Sequence, residues 1–422
     1  MKSTLLALLM SVTGSSPPLF TLDEAIERAR NNSNTLKSNA ATAKSAALVA
    51  EAFNATRYPK LSLDGSFRAQ TVVPEATFGG NSIKLNDYYG YSVGPTITYT
   101  LWDSGAKRNQ LASLQALAHA KEHQSTLTAA QIALATKVTY IQAALTRESV
   151  DLAKHAAQLS QTQNKDIQIR LKNGSISRLD ALNSDSEVLN YQLKIEQAQS
   201  EYQSVRADLG YLLGNPQEIH DNLENLADII ARHKNKEQPA LSPSHPLIQI
   251  QAQLEKSALS QVNVQKAGYW PTLNMQLRSS ADYPNGPIFK TIYQNSLGLN
   301  LSWSLFEFGS TKKQIAAKMA DAQAAEFLKE ETKIALFRDY EKAKARAQSF
   351  HEQIREAEKL VSKQEEISRL NYDTYRFGKL SYFEVQTSNI RLLDAKNRLA
   401  LLRAQYLIQL SNIEYLAERN DG

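Results

Sequence analysis

Apolar and polar residues alternate along four short segments of the chain. In the first of them, Leu61, Leu63 and Phe67 are separated by polar or small residues. A period of two is typical of β-strands whose two faces meet different surroundings. An apolar face opposite a polar one fits a membrane barrel wall with a wet lumen, and a half-exposed sheet in a soluble sandwich is the alternative. The predicted strands cover residues 61–70, 89–102, 273–278 and 296–305.

Two much longer segments follow a helical period. Residues 106–173 and 310–377 each run for 68 residues without Gly or Pro and are rich in Ala, Gln, Lys, Glu and Leu. At a rise of 1.5 Å per residue each helix would extend roughly 100 Å. Beyond Gly174 and Gly378 a second helix is predicted, over 175–209 and 379–421. Each half of the chain therefore predicts a long antiparallel helical hairpin with a glycine at its turn.

The order of these elements occurs twice. Gly105 and Gly174 in the first half correspond to Gly309 and Gly378 in the second, at the same offset of 204 residues. Such self-similarity indicates an internal duplication. We expect a first structural repeat over 17–213, a linker or equatorial segment over 214–246 and a second repeat over 247–422.

The first residues predict export from the cytoplasm. Lys2 precedes a short apolar stretch that ends near Val12, and small residues follow, which is typical of a signal peptide over residues 1–16. The sequence contains no Cys, which excludes disulfides, thiolate metal sites and a Cys nucleophile. The net charge of +5 arises from interleaved signs, so it favours solvated helix faces over nucleic-acid binding.

The sequence predicts neither an enzyme nor a cofactor site. It contains no GxGxxG, Walker, HExxH or GxSxG motif. His119 and His123 stand at i and i+4 on a predicted helix, but no third ligand lies nearby in the sequence. We therefore interpret both as surface histidines and expect no bound metal.

Four strands in one chain are too few to close a membrane barrel. An open sheet would leave backbone groups unpaired in lipid at a cost of several kcal/mol each, so the chain must self-associate. Two copies would give an eight-stranded barrel filled by side chains, and three copies a twelve-stranded barrel with a water-filled lumen. A conduit favours three or more copies.

Several landmarks resemble a known family. They are the opening segment 22–29 with Asn32, Tyr58-Pro59 before the first strand, the turn 102–105, and the paired turns at Gly174 and Gly378. In this order the chain resembles the TolC-like outer membrane efflux proteins over nearly its whole mature length. The resemblance implies an α+β membrane protein in which long helical hairpins form an α-barrel in the periplasm. Four strands from each copy of a homotrimer would form a shared twelve-stranded β-barrel in the outer membrane.

The same resemblance implies a passive export duct. Such a duct serves a tripartite efflux or type I secretion system and passes small toxic molecules or proteins from an inner-membrane pump to the outside. A periplasmic adaptor protein would join the two and open the duct. A coiled-coil structural protein of the cell envelope without a pore is the alternative from another class, and a surface adhesin is a third. The alternating strands favour the duct, since a filament needs none.

The family pattern also implies an acidic constriction at the periplasmic turns. Many members carry two acidic residues, three positions apart, on the helix after the second turn; here Glu384 matches the first and Thr387 replaces the second. Three copies of Glu384 would form a narrow ring that attracts cations. Helix capping is a competing explanation, because Ser381 with Glu384 forms a capping box and Ser177 with Asp180 a similar helix start.

In the family a Tyr on one hairpin and an Asp on the other, helped by an Arg, hold the constriction closed. Tyr375 and Asp180 match the first two, whereas Leu380 stands at the Arg position, so the Arg contribution is either missing or supplied by Arg178 or Arg376. Simple packing of Tyr375 between helices is the alternative.

Two tryptophans occupy corresponding places near the ends of predicted strands. Trp102 and Trp303 precede Gly105 and Gly309. Aromatic side chains are favoured at the boundary between membrane and water, so both are candidate interface residues. Packing at the junction of strand and helix is the competing interpretation.

Overall fold

The computed structural model describes residues 19–215, 222–233 and 239–417. The predicted signal peptide lies outside these residues. The helices are α1 (Leu22–Asn32), α2 (Asn34–Ala55), α3 (Ala106–Lys172), α4 (Arg178–Leu213), α5 (Leu226–His233), α6 (Pro246–Ala267), α7 (Ser310–Arg376) and α8 (Tyr382–Leu416). The strands are β1 (Lys60–Ala69), β2 (Glu75–Phe78), β3 (Asn81–Lys84), β4 (Tyr89–Trp102), β5 (Thr272–Tyr283) and β6 (Ile292–Ser302).

The described chain divides into two compact units. The first, which we call the helical unit, draws on residues 19–37, 126–245 and 334–417. The second, the sheet unit, comprises 38–125 and 246–333 and contains every described strand. The helices α3 and α7 contribute residues to both units.

Both long helices form as predicted, and each is 67 residues long. Gly174 and Gly378 follow them with positive φ angles of 69° and 71°, a conformation that costs a glycine little. After α3, the Ser175 N–H donates to the Arg170 carbonyl at 2.9 Å, which is the capping pattern of a helix that ends in a left-handed residue. The glycines therefore stop the helices and turn the chain into α4 and α8. Within the described ranges, no helix has an apolar stretch long enough to cross a bilayer.

The sheet unit contains a four-stranded antiparallel sheet in the order β1-β4-β5-β6. Its register aligns apolar residues from all four strands in one row, formed by Leu61, Ile97, Leu277 and Leu297. Residues directly opposite one another point to the same face of a sheet. One face of the sheet is therefore apolar, and Leu61 and Leu297 remain more than 60% exposed on it.

The adjacent row is polar across the same four strands. It consists of Ser62, Thr96, Arg278 and Ser296. The alternation predicted from the sequence is thus present in the sheet, with apolar residues on one face and polar residues on the other. The last strand is shifted relative to the prediction, because β6 runs from Ile292 to Ser302 and not from residue 296 to residue 305. The loop after β1 also contains the β2–β3 hairpin, which the sequence pattern did not indicate.

Gly94 allows β4 to pass close to β5. A Cβ atom at this position would lie 1.9 Å from the Ser279 carbonyl oxygen and 2.6 Å from the Ser280 Cα. Both neighbours are backbone atoms and cannot rotate away. A residue without a side chain is therefore required at position 94.

The segment after α4 is fastened to α3 by a buried tyrosine. The Tyr140 side chain is fully buried, and its hydroxyl donates to the Phe20 carbonyl while it accepts from the Glu224 N–H. Arg147 on the same helix donates to the Leu223 carbonyl at 2.6 Å. These bonds fix the N-terminal segment and the linker on one face of the helical unit, ahead of the short helix α5.

Candidate functional site

The ends of both helical hairpins meet in one buried cluster within the helical unit. All four helices, α3, α4, α7 and α8, contribute to this tip cluster, together with half-buried neighbours from both turns. Its buried members are Ile167, Ala181, Tyr375, Tyr382 and Val385. The two turns predicted to lie at the periplasmic end are therefore joined by apolar packing.

Tyr375 lies inside this cluster. Its side chain is 5% exposed, and its ring lies 5.5 Å from that of Tyr382 in an edge-on arrangement. Burial raises the pKa of Tyr375, and the nearby Asp180 charge raises it further. Among the described residues, none forms a hydrogen bond with the Tyr375 hydroxyl. The structure thus places Tyr375 and Asp180 near each other without a direct bond, and a closing role for the pair stays a prediction.

Asp166 of α3, which the sequence pattern did not indicate, forms a polar link between the hairpins. It accepts hydrogen bonds from the Tyr372 hydroxyl of α7 at 3.1 Å and from the Arg170 Nε at 3.2 Å. Arg376 of α7 approaches the same carboxylate at 4.0 Å, and its carbonyl accepts from Arg170 at 2.9 Å. Burial, followed by the Asp166 charge, raises the pKa of Tyr372 to about 12. The hydroxyl therefore remains a donor at physiological pH.

Of the two arginines considered as replacements for the missing family Arg, Arg376 reaches this link, whereas Arg178 is exposed at the start of α4. The neighbouring Asp180 N–H donates to the Ser177 hydroxyl at 3.1 Å, as expected of a helix cap. The structure therefore supports a capping position for the Ser177–Asp180 segment.

A second link is fully buried. The Tyr382 hydroxyl of α8 donates to the Oε2 atom of Glu187 on α4 at 2.6 Å, and Glu187 is only 2% exposed. Burial raises the pKa of Glu187, and the hydrogen bond from Tyr382 opposes that shift only in part. Tyr382 is the first residue of α8, and Glu187 lies on α4. The bond therefore joins the hairpin α7–α8 to the hairpin α3–α4.

A third link connects α3, α7 and α8 through neutral side chains. The Asn389 amide donates to the Gln163 side-chain oxygen at 2.9 Å, and the Ser368 hydroxyl donates to the Asn389 oxygen at 2.8 Å. All three residues are buried. Satisfied polar networks of this kind specify one arrangement of helices more sharply than apolar contacts do.

Glu384 caps α8. Its carboxylate accepts from the Ser381 N–H at 3.3 Å and from the Ser381 hydroxyl at 3.2 Å, so the predicted capping interaction is present. The side chain is exposed, and the half-buried Thr387 one turn later donates to the Phe383 carbonyl at 2.8 Å. Phe383 itself is 68% exposed. The first turn of α8 therefore presents an acidic and an aromatic side chain to solvent in a single chain.

The two candidate interface tryptophans lie at the surface of the sheet unit. Trp102 is 59% and Trp303 53% exposed, so neither is packed in a core within one chain. The Trp102 indole donates to the Ser104 hydroxyl and the Trp303 indole to the Tyr269 carbonyl, both at 3.1 Å. Across the described parts of the chain, no group of three or more His, Asp or Glu residues is arranged to hold a metal ion.

Two long helical hairpins combined with a four-stranded antiparallel sheet are a fold that this chain shares with solved outer-membrane channels. The solved structure of the outer-membrane channel OprN superposes with a TM-score of 0.80 at 17% identity, covering 94% of this chain and 89% of that one. VceC of Vibrio cholerae has a TM-score of 0.78 at 18% identity and coverages of 94% and 96%. The MtrE channel of Neisseria gonorrhoeae, in its open state, has a TM-score of 0.79 at 16% identity and coverages of 94% and 88%.

The sequence identifies the family directly. The model of the outer membrane efflux protein family matches residues 25–215 and 238–417, so the chain belongs to the outer membrane efflux proteins. Family and fold agree with the resemblance read from the sequence. A search of curated proteins finds no match.

Proposed function

We propose that this protein is a passive export duct built as a homotrimer. The observation that carries the proposal is the sheet order, in which β1 and β6 are edge strands with no further partner among the described strands. Unpaired strand edges are stable in lipid only if another chain covers them. Pairing β1 of one copy with β6 of the next would give twelve strands in three copies.

The two faces of the sheet support this arrangement. The exposed apolar row that includes Leu61 and Leu297 suits contact with lipid, and the polar row that includes Thr96 and Arg278 suits a wet lumen. In the proposed duct the sheet lies in the outer membrane and the helices extend into the periplasm. Trp102 and Trp303 would then lie at the boundary between lipid and water. A signal peptide over residues 1–16 would direct the export of the chain.

The proposed constriction lies at the Gly174 and Gly378 turns. Glu384 and Thr387 on α8 are its candidate lining residues, because the first turn of α8 exposes Glu384 to solvent. Tyr375, Asp180 and Arg178 are the candidate closing residues from the family pattern. The Asp166 and Glu187 links join the two hairpins at the same level and would resist their separation.

The energy for transport would come from partners. The sequence contains no nucleotide-binding motif, so the proposed duct acts with a periplasmic adaptor protein and an inner-membrane pump of a tripartite efflux or type I secretion system. Its cargo would be small toxic molecules or proteins that the pump selects. The duplication into residues 17–213 and 247–422 around the linker 214–246 would supply the matched hairpins of the tunnel wall.

Mass measurement and single-channel recording test the proposal together. Purified protein in detergent should have the mass of three chains, and its insertion into planar bilayers should produce discrete current steps. A trimer that never conducts, even when the Asp166 and Glu187 links are removed, would favour the envelope scaffold. A monomer would contradict the shared sheet.

A further inference from the structure

The Glu187 carboxyl is buried between α4 and α8 near the tip. It lies on α4 at 2% exposure and receives the Tyr382 hydroxyl from α8 at 2.6 Å on its Oε2 atom. Within the described residues, no donor meets hydrogen-bond geometry at its other oxygen, Oε1. Asn389 and Tyr191 are close enough to favour the ionised form as Tyr382 does, but burial has the larger effect on the pKa, and a carboxyl in such a place usually remains protonated.

The surroundings supply little positive charge. On α4 itself Tyr191 and Lys194 are near, Ser184 contacts the Tyr382 hydroxyl, and among the described cations Lys194 lowers the Glu187 pKa. From α8 the carboxyl faces Tyr382 and Asn389, both neutral.

Among the described residues of α3 and α7, no charged side chain contributes to the shift of the Glu187 pKa. On α3 and α7, Gln163 and Ser368 bond to Asn389 and are neutral as well. Asp394 of α8 acts on the neighbouring Tyr191 and adds negative charge. Burial therefore outweighs the stabilising effects of Tyr382, Asn389 and Tyr191 on the ionised form and the attraction of Lys194, so the Glu187 pKa is raised from 4.5.

A small cavity borders two neighbours of Glu187. Its volume is about 120 Å³, and Tyr191 and Asn389, which both face Glu187, form part of its wall. His155 of α3 and Lys396 of α8 line the same cavity. A space of this size holds a few water molecules, so it provides a place to which a proton could move.

We propose that Glu187 and Tyr382 form a proton-holding latch between the two hairpins, closed while Glu187 is a neutral acid and released when its proton passes to water. The proposal rests on the export duct described above and adds a device to its constriction. When the hairpins separate, the carboxyl meets water, its O–H bond breaks and the proton leaves. The bond to Tyr382 is lost in the same step.

The direction of the pH dependence follows from this linkage. The packed tip binds one more proton per chain than the separated tip between the ordinary pKa of 4.5 and the raised pKa of the packed state. The latch is therefore fully effective below 4.5 and weakens as the pH rises through the raised pKa. Within this window the opening constant should increase by up to about tenfold per pH unit for each chain.

Hydrogen exchange of the full-length purified protein measures this opening without requiring a current. Peptides from residues 178–190 and 379–390 are followed from pH 5 to pH 8 and corrected for intrinsic exchange. In the wild type the opening constant should rise with pH, and in Glu187→Gln, which keeps the shape and an acceptor for Tyr382, the rise should disappear. Glu196→Gln, an exposed position on the same helix, should behave as the wild type.

A second variant keeps the proposal testable where Glu187→Gln does not fold. Tyr382→Phe removes the bond that lowers the Glu187 pKa, so the pH at which the tip loosens should move upward. A Glu187→Gln protein with the wild-type pH response, or a Tyr382→Phe protein with an unmoved midpoint, would overturn the latch. Current recordings judge the duct separately, since a trimer that stays silent even without the Asp166 and Glu187 links would contradict the duct and leave the exchange result standing.

Discussion

The Tyr372 hydroxyl of α7 donates a hydrogen bond to the Asp166 carboxylate of α3 and so connects the two hairpins. Tyr372 lies six residues before Gly378, and Asp166 lies eight residues before Gly174. This bond lies beside a buried apolar cluster and is supported by Arg170 and Arg376. Removing the hydroxyl leaves the packing in place and deletes only the polar connection. The link can therefore be tested separately from the core.

Tyr372→Phe should make the constriction easier to open. A lost hydrogen bond to a charged group, partly exposed here, contributes about 1 kcal/mol, which corresponds to roughly a fivefold increase in the opening equilibrium. The open probability of single channels in planar bilayers measures this change in the opening equilibrium. Tyr211→Phe is the matched control, because Tyr211 is 79% exposed on α4 and away from the turns. Equal open probability in Tyr372→Phe and the control would show that the link does not restrain the tip.

Glu384 has two roles that a pair of substitutions can separate. Glu384→Gln should retain much of the capping interaction with Ser381 while it removes the charge, whereas Glu384→Ala removes both. If the carboxylates line the constriction, cation selectivity should fall in both variants, measured as reversal potential in a salt gradient. Only Glu384→Ala should also weaken the start of α8, by about 1 kcal/mol in hydrogen-exchange protection. Unchanged selectivity in both variants would leave capping as the only role.

Gly94→Ala should disrupt the sheet. The added methyl group would meet the Ser279 carbonyl at 1.9 Å, and relieving it requires β4 and β5 to move apart. Overpacking of this kind costs about 1–3 kcal/mol or more, so the yield of assembled protein in membranes should fall. Gly65→Ala is the control, since its Cβ would contact only the Val93 side chain at 3.8 Å. A normal yield of Gly94→Ala trimers would show that the sheet accommodates the methyl group.

Tyr140→Phe should loosen the linker without touching the turns. The substitution leaves the Phe20 carbonyl and the Glu224 N–H without the hydroxyl that pairs them in the buried interior. Two such groups cost about 2–4 kcal/mol together. Hydrogen exchange of residues 222–230 should accelerate by one or more orders of magnitude, and that of residues 379–390 should not change. Uniform acceleration across both segments would indicate global destabilisation instead.

The sequence pattern was sufficient to predict the two long helices and the four strands of the main sheet. Long stretches without Gly or Pro predicted α3 and α7 to within a residue or two, because left-handed glycines at 174 and 378 end them. The period of two predicted the four strands of the sheet, and the observed register confirms which residues share a face. The β2–β3 hairpin was missed, since its strands are only four residues long and carry too little pattern.

The polar links at the tip could not be predicted from a single sequence. Glu187 and Tyr382 are 195 positions apart, and nothing in the local pattern distinguishes Glu187 from the many solvated glutamates of the helices. Asp166 and Tyr372 are separated by 206 positions. Family resemblance pointed to Tyr375 and Asp180, whereas the hydrogen bonds of this chain run through residues one or two turns away. Pairings of this kind depend on how the two hairpins dock, which local periodicity does not encode.

The open edges of the sheet have a genetic consequence. Every copy in the proposed trimer would pair with the edge strands of two neighbours. A chain with a defective β1 or β6 would therefore prevent barrel closure in trimers that also contain normal chains. With equal expression of both and random mixing, only about one trimer in eight would consist of normal chains alone. Edge-strand alleles should therefore be dominant over the wild type, whereas alleles that prevent folding altogether should be recessive.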